Sequence, residues 1–305
     1  MKNYSIKIFF LFIFFMLSIT AAYAQSAGES GLAFLKIGFG ARNIAMGNAG
    51  TVFSNGVTAQ FYNPAKLAYS DDKELIAMHN NWIQGVRSDV IGATTRILGM
   101  RIGVGVNITS VNNIEVRTKP GEAQARFDAK FFSGNISTGF EIYEGIKFGV
   151  TYKYLYEQFF INEAKGYAWD FGIDYKTQIP NLTASFVIRN LGSMEALKTQ
   201  ETVVPTEIVA GANYLYNVPN NELSFIVGGE IQRFTKTDNT HLNFGGEAVY
   251  KNLIAVRLGY QSGYDSRSFT YGFGLYWHNL TFDFAYVPFQ LGLGSANLFS
   301  LRYKF

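Results

Sequence analysis

The sequence predicts an all-β transmembrane protein, an antiparallel β-barrel of about fourteen strands with an N-terminal plug segment. Three observations lead there. From about Glu74 to the end, apolar and polar residues alternate with period two. Aromatic residues make up 16% of the chain and glycine is abundant at 31 residues, yet mean hydropathy is near zero. Short turns and longer links also alternate along the chain, as they do in outer-membrane barrels.

Residues 1–24 read as a secretory signal peptide. Lys2 and Lys7 give a positive start, Ile8 to Ile19 is almost wholly apolar, and Ala22-Tyr23-Ala24 supplies the small-x-small pattern for cleavage after Ala24. An apolar run of 12 residues is too short to span a bilayer as a helix. With no cysteine in the chain, a lipid anchor at the new N-terminus is excluded. So are disulfides, thiolate metal sites and a cysteine nucleophile. The net charge of +3 falls to about +1 when Lys2 and Lys7 are removed, which gives no footprint for nucleic acid. His79, His241 and His278 are too widely spaced to suggest a metal cluster, and no cofactor is expected.

Residues 25–73 do not alternate and form the expected plug. Gly38, Gly40, Gly47, Gly50 and Gly56 punctuate them, with a short helix expected over Ala41 to Gly47. Asn63-Pro64-Ala65 is a turn signal, because a residue before proline avoids the helical region. This apolar, glycine-rich stretch with few charges is expected to fold back into the lumen.

The barrel is expected over 74–305. Alternation places strands at 74–81, 86–96, 101–110, 127–141, 146–159, 166–176, 181–190, 206–216, 222–233, 241–250, 253–262, 268–277, 279–287 and 296–305. Val256, Leu258 and Tyr260 share one face while Arg257, Gly259 and Gln261 share the other; Phe299, Leu301, Tyr303 and Phe305 oppose Ser300, Arg302 and Lys304. The apolar face is aromatic along its length, which suits lipid. The other face carries glycine and charges of both signs, which suits a narrow interior where Asp170, Asp174, Glu247, Arg257, Asp283 and Arg302 could form a charge network. Leu98-Gly99, Glu144-Gly145, Lys251-Asn252 and His278-Asn279 mark tight turns, and 111–126, 191–205, 234–240 and 288–295 the longer links. An even strand number puts both ends in the periplasm, and a terminal Phe305 suits barrel insertion.

No catalytic constellation stands out. Gly38-x-Gly40 lacks the strand-to-helix unit of a nucleotide-binding loop. The sequons at Asn107 and Asn135 lie within expected strands. Asp170 and Asp174 are two strand pleats apart, about 13 Å, too far for a retaining glycosidase pair. Ser266, Ser268, His278 and Asp283 are close in sequence, but Ser268 and His278 fall at opposite ends of one strand.

The stretch Phe34-Leu-Lys-Ile-Gly-Phe-Gly-Ala-Arg-Asn-Ile-Ala-Met-Gly-Asn-Ala-Gly50, followed by Gln60-Phe-Tyr-Asn-Pro-Ala-Lys-Leu-Ala68, resembles the N-terminal signature of the PorV/PorQ family. Arg257-Leu-Gly-Tyr-Gln-Ser-Gly-Tyr-Asp265, Tyr271 to Leu275 and Phe282 to Tyr286 are similar to the family's C-terminal part. The resemblance implies the fold of the FadL channels, with Asn63, Pro64 and Ala65 at the hatch turn. It also implies a non-enzymatic role in the type IX secretion system. There the partners would be the translocon barrel, cargo C-terminal domains or surface attachment proteins, in an outer-membrane lipid setting.

The leading expectation is therefore a binding barrel whose external loops hold a protein. Pro288, Phe289, Leu291 and Leu293 lie in an apolar, glycine-rich loop that either meets such a partner or folds over the barrel mouth. The alternative is a FadL-like transporter of hydrophobic small molecules. Against it stands the expectation that inward positions are small, polar or charged and so offer little to line an apolar path.

Overall fold

The computed structural model describes residues 31–199, 201–219 and 221–305; the expected signal peptide, 1–24, lies outside the described residues. Fourteen antiparallel strands close into one barrel, each paired with its sequence neighbours and the first with the last. They are β1 (Glu74–Asn81), β2 (Val86–Ile97), β3 (Met100–Val116), β4 (Ala125–Tyr143), β5 (Ile146–Phe159), β6 (Asn162–Lys176), β7 (Leu182–Met194), β8 (Glu207–Asn217), β9 (Leu223–Phe234), β10 (Thr240–Tyr250), β11 (Ile254–Ser262), β12 (Phe269–Trp277), β13 (Leu280–Pro288) and β14 (Ser295–Lys304). Closure runs from Glu74 opposite Lys304 to Asn81 opposite Asn297, so no sheet edge is left to seek a partner.

Alternation decides the faces. In β11, Ile254, Val256, Leu258 and Tyr260 point out and Ala255, Arg257, Gly259 and Gln261 are buried inside. The outer wall is joined by aromatic contacts between neighbouring strands: Phe273 and Phe284 have ring centroids 5.4 Å apart, and Phe284 and Phe299 5.1 Å. A closed sheet with this outer wall is the β solution to a bilayer, because every strand is paired and apolar groups face lipid.

Both ends of the barrel sequence sit on one rim, here the terminal rim, which also carries the Leu98-Gly99 turn. Leu98 and Gly99 have φ of 51° and 81°, the left-handed pair that a two-residue hairpin requires. The opposite, loop rim carries 82–85, 117–124, 160–161, 195–206, 235–239, 263–268 and 289–294. Two expectations are corrected here. The link at 111–126 shrinks to 117–124, because β3 and β4 continue pairing past a bulge between Val111 and Ile114. The strand expected at 166–176 starts earlier, at Asn162, after a tight Phe160-Ile161 turn with Phe160 at φ 58°, because Asn162 already pairs with Phe159. β4 has 19 residues and β13 only 9, so the wall stands higher on the β3–β6 side.

Candidate binding site in the plugged lumen

Residues 31–69 run through the barrel interior as short irregular pieces. Helical turns at Ala41–Ala45, Gly50–Phe53 and Ala59–Tyr62 alternate with 3₁₀ turns at Ala33–Lys36, Gly56–Thr58 and Pro64–Tyr69. None is long enough to persist alone, so the wall must hold them. Inward side chains supply the hydrogen bonds that the segment's backbone lacks. Ala41 N–H donates to Ser300 Oγ (3.2 Å), Gly47 N–H to Thr270 Oγ1 (2.9 Å), Thr51 N–H to Glu230 Oε2 (3.0 Å) and Val57 N–H to Glu74 Oε2 (2.7 Å). Thr270 Oγ1 in turn donates to Ala45 O at 3.0 Å. This is the physical reason for a polar inner wall: irregular backbone at membrane depth is tolerated where protein satisfies it.

Inward glycines mark where the segment presses closest. A Cβ on Gly245 or Gly259 would strike the Met46–Gly47 backbone, and one on Gly149 the Pro64–Ala65 peptide. At Asn63-Pro64-Ala65, Asn63 Oδ1 accepts from Ala65 N–H (3.2 Å) while its Nδ2 donates to Ile173 O on β6 (3.2 Å). The turn is thus both a helix cap and a tie to the wall.

The expected network residues sit mostly toward the terminal rim and do not form one network across the lumen, while a further buried pair, Arg189 and Glu207 at 2.8 Å, lies toward the loop rim. Arg257 spans Glu247 (2.6 Å) and Asp283 (2.9 Å), and Arg42 of the plug joins Glu247 at 2.7 Å. Asp174 pairs with plug Lys66 at 3.0 Å, and Asp170 with Lys153 of β5 at 2.8 Å. Arg302 donates to Asn55 Oδ1 at 2.8 Å. Of the expected network, Arg257, Glu247 and Asp283 do pair with one another, while the rest is split because the plug fills the lumen and supplies partners itself. Arg42 and Lys66 escaped the sequence reading; a cation in an otherwise apolar lumenal segment was the available signal.

Tyr69 marks the exit of the plug at the terminal rim, with Lys147 Nζ 4.5 Å and Lys176 Nζ 4.9 Å from its ring centre. Burial and then Asp174 push its phenol well above the usual range. Burial also raises the phenol of Tyr62, which donates to Asn48 Oδ1 at 2.6 Å. Burial lowers the Lys36 ammonium, which lies over the Phe234 ring at 4.7 Å.

Toward the loop rim the inner wall changes character on two sides. One cluster joins plug residues Phe39, Ile44 and Phe61 to Met78, Val90, Val287 and Leu298 of β1, β2, β13 and β14, with Trp82 and Phe289 against it. The other joins Leu32, Phe34 and Leu35 to Leu155, Ala164, Ala168 and Met194 of β5–β7. This corrects the expectation that inward positions offer little apolar lining. Apolar inward residues are concentrated in one half of the strands, where composition averaged over the whole barrel hides them.

The loop after β13 divides. Phe289 packs edge-on to Trp82 (5.2 Å) over the mouth, and Pro288 pairs with Ser295 at the end of β13, whereas Leu291 is 78% exposed and Leu293 is half-buried. Backbone bonds from Phe289 N to Gly294 O (2.9 Å) and from Gln290 N to Ser266 O (2.6 Å) hold the loop. Ser268 and His278 do lie at opposite ends of β12. Among the described residues, no three metal-ligating side chains come together.

No protein-family model matches the sequence, and no curated protein matches it. Solved structures do resemble the fold. The Pseudomonas putida toluene transporter TodX superposes with a TM-score of 0.65 at 13% identity, covering 88% of this chain and 98% of that one. The CymD monoaromatic hydrocarbon channel gives 0.59 at 12%, covering 88% and 97%. A Pseudomonas aeruginosa FadL homologue gives 0.48 at 11%, covering 84% and 95%. At such identities the likeness to TodX and CymD is one of fold, and this chain is a closed fourteen-stranded outer-membrane barrel with a helical N-terminal segment.

Proposed function

We propose that this barrel is a FadL-like outer-membrane transporter of small hydrophobic molecules. The carrying observation is the apolar inner wall toward the loop rim, where Phe39 and Phe61 of the plug face Met78, Val90, Val287 and Leu298. With both ends of the barrel in the periplasm, that half opens outward, so an apolar solute arriving from outside meets apolar surface first. Burying a single aromatic ring there is favoured by about 25 cal/mol for each Å² of apolar surface removed from water. The polar terminal half holds the plug through directional bonds, so passage requires local movement of the plug against the wall. TodX and CymD, named as a toluene transporter and a monoaromatic hydrocarbon channel, support this choice of solute class.

The test is uptake of radiolabelled toluene by cells that lack their own hydrocarbon channels. Expression of the barrel should raise the initial rate several-fold over a vector control. A rate equal to the control, with the barrel folded in the membrane, rejects transport.

A second reading keeps the PorV/PorQ-like role, a barrel that binds type IX cargo or attachment proteins at its loops. The exposed Leu291 at the loop tip favours it. On that reading, removing 288–294 abolishes co-purification of a protein partner from native membranes while the barrel stays heat-modifiable on gels. Unchanged co-purification counts against it.

A further inference from the structure

One polar side chain beside the Phe39 cluster has no hydrogen-bond partner among the described residues. Asn80 points inward from β1 and is fully buried. Register places it between Ser88 of β2 and Leu298 of β14. Among the described residues, neither its Nδ2 nor its Oδ1 has a hydrogen-bond partner. Ser88, the polar neighbour, is already engaged: its hydroxyl donates to Asn107 Oδ1 (2.8 Å) and accepts from Thr109 Oγ1 (2.8 Å). An unserved amide is costly in such a place, and buried polar groups in folded proteins are nearly always paired. The fold does not demand asparagine there, since Met78, two residues earlier on the same face, is apolar.

We propose that Asn80 is the polar contact of a binding site for a single-ring aromatic molecule carrying one hydroxyl group. This inference rests on the transporter reading and narrows its substrate class. The amide offers a donor and an acceptor together, and a hydroxyl is the small group that answers both. Met78 and Val90 sit opposite each other beside it on β1 and β2. Trp82 and Phe289 stand on the loop-rim side. The stacked pair Phe39 and Phe61, with centroids 4.7 Å apart, forms the plug side. Aromatic faces and edges on two sides suit an aromatic guest. Trp82 and Phe289 are half-buried and lie on separate links at the mouth, so parting their edge-to-face contact opens the cluster from outside. A hydrocarbon of the same size entering there would leave the amide unserved.

The experiment is a titration of detergent-purified barrel with p-cresol and with toluene, read by Trp82 fluorescence. Trp169 and Trp277, both on the outer wall, are replaced by phenylalanine to isolate the signal. Cresol should bind at least about tenfold more tightly than toluene, the size of one net hydrogen bond. Asn80→Leu should abolish that preference while keeping toluene binding, and Asn80→Ser, which retains a hydroxyl, should keep part of it. Equal affinities in the parent, or a preference unchanged in Asn80→Leu, overturns the assignment of Asn80 and leaves the transporter reading intact. Binding of neither compound, together with no toluene uptake, overturns both.

Discussion

The two halves of the lumen hold the same plug by different physics. Near the terminal rim, Arg42 and Lys66 engage Glu247 and Asp174, and the Glu74 carboxylate caps the plug's backbone at Val57. These contacts are directional and fix one position. Near the loop rim, Phe34, Leu35 and Phe39 rest on aliphatic and aromatic wall residues. Apolar contact is non-directional and is kept when groups slide, and an apolar solute can replace it. The comparison teaches that a plug can be anchored at one end and yielding at the other without a change of fold.

The largest effect should come from breaking the anchor. Arg257→Met leaves Glu247 paired only with Arg42 and takes from Asp283 the cation it pairs with. Removing one partner of a buried ion cluster costs about 3–5 kcal/mol. The temperature at which the folded gel band converts to the unfolded one should drop sharply; a shift no larger than that of a surface variant would remove the anchor from the account.

Next in size is a cavity in the apolar half. Leu155 is fully buried against the plug, and Leu155→Ala should cost about 2–4 kcal/mol by urea unfolding in detergent. A negligible loss would mean that this half is not packed as described. Smaller again is the contrast between two glycines of neighbouring strands. Gly259→Val drives a side chain into the plug backbone and should cost about 1–3 kcal/mol, whereas Gly246→Val on the outer wall meets only ordinary contacts and should stay within about 0.5 kcal/mol. Similar losses at both sites would contradict the close approach of plug and wall.

The smallest effect is at the exposed terminal rim, where Lys304 holds the Asp72 carboxyl below its usual range. A carboxyl lowered on folding stabilises above its unfolded pKa, and that contribution fades as pH falls through the folded value. Asp72→Asn should therefore remove under about 0.5 kcal/mol at neutral pH and nothing measurable at a pH below both values. A large loss at neutral pH would show that this pair is more than a screened surface contact.

The barrel was legible because each strand wrote its two faces in alternate letters, as in Ile254 to Gln261. Strand ends beyond the lipid were not, since β3 and β4 lose that alternation near the Val111 bulge while their backbones continue to pair. The Asn63-Pro64-Ala65 turn could be read because proline and a capping side chain are local signals. The plug's partners could not: Arg42 and Glu247 lie 205 residues apart, and turns of four or five residues are too short to show periodicity. The apolar half was masked because Ala285 and Val287 point inward beside lipid-facing Phe284 and Tyr286. The signal there was an unbroken apolar run, which reads as a strand and does not say which face is dry.

The division of the lumen is tested most directly by locating a small apolar solute in crystals of the barrel soaked with bromobenzene, using the anomalous signal of bromine. The account predicts a peak inside the barrel beside Phe39 and Phe61, on the loop-rim side of the ion pairs. Bromine found only on the outer wall, or inside among Arg42, Glu247 and Arg257, would contradict it.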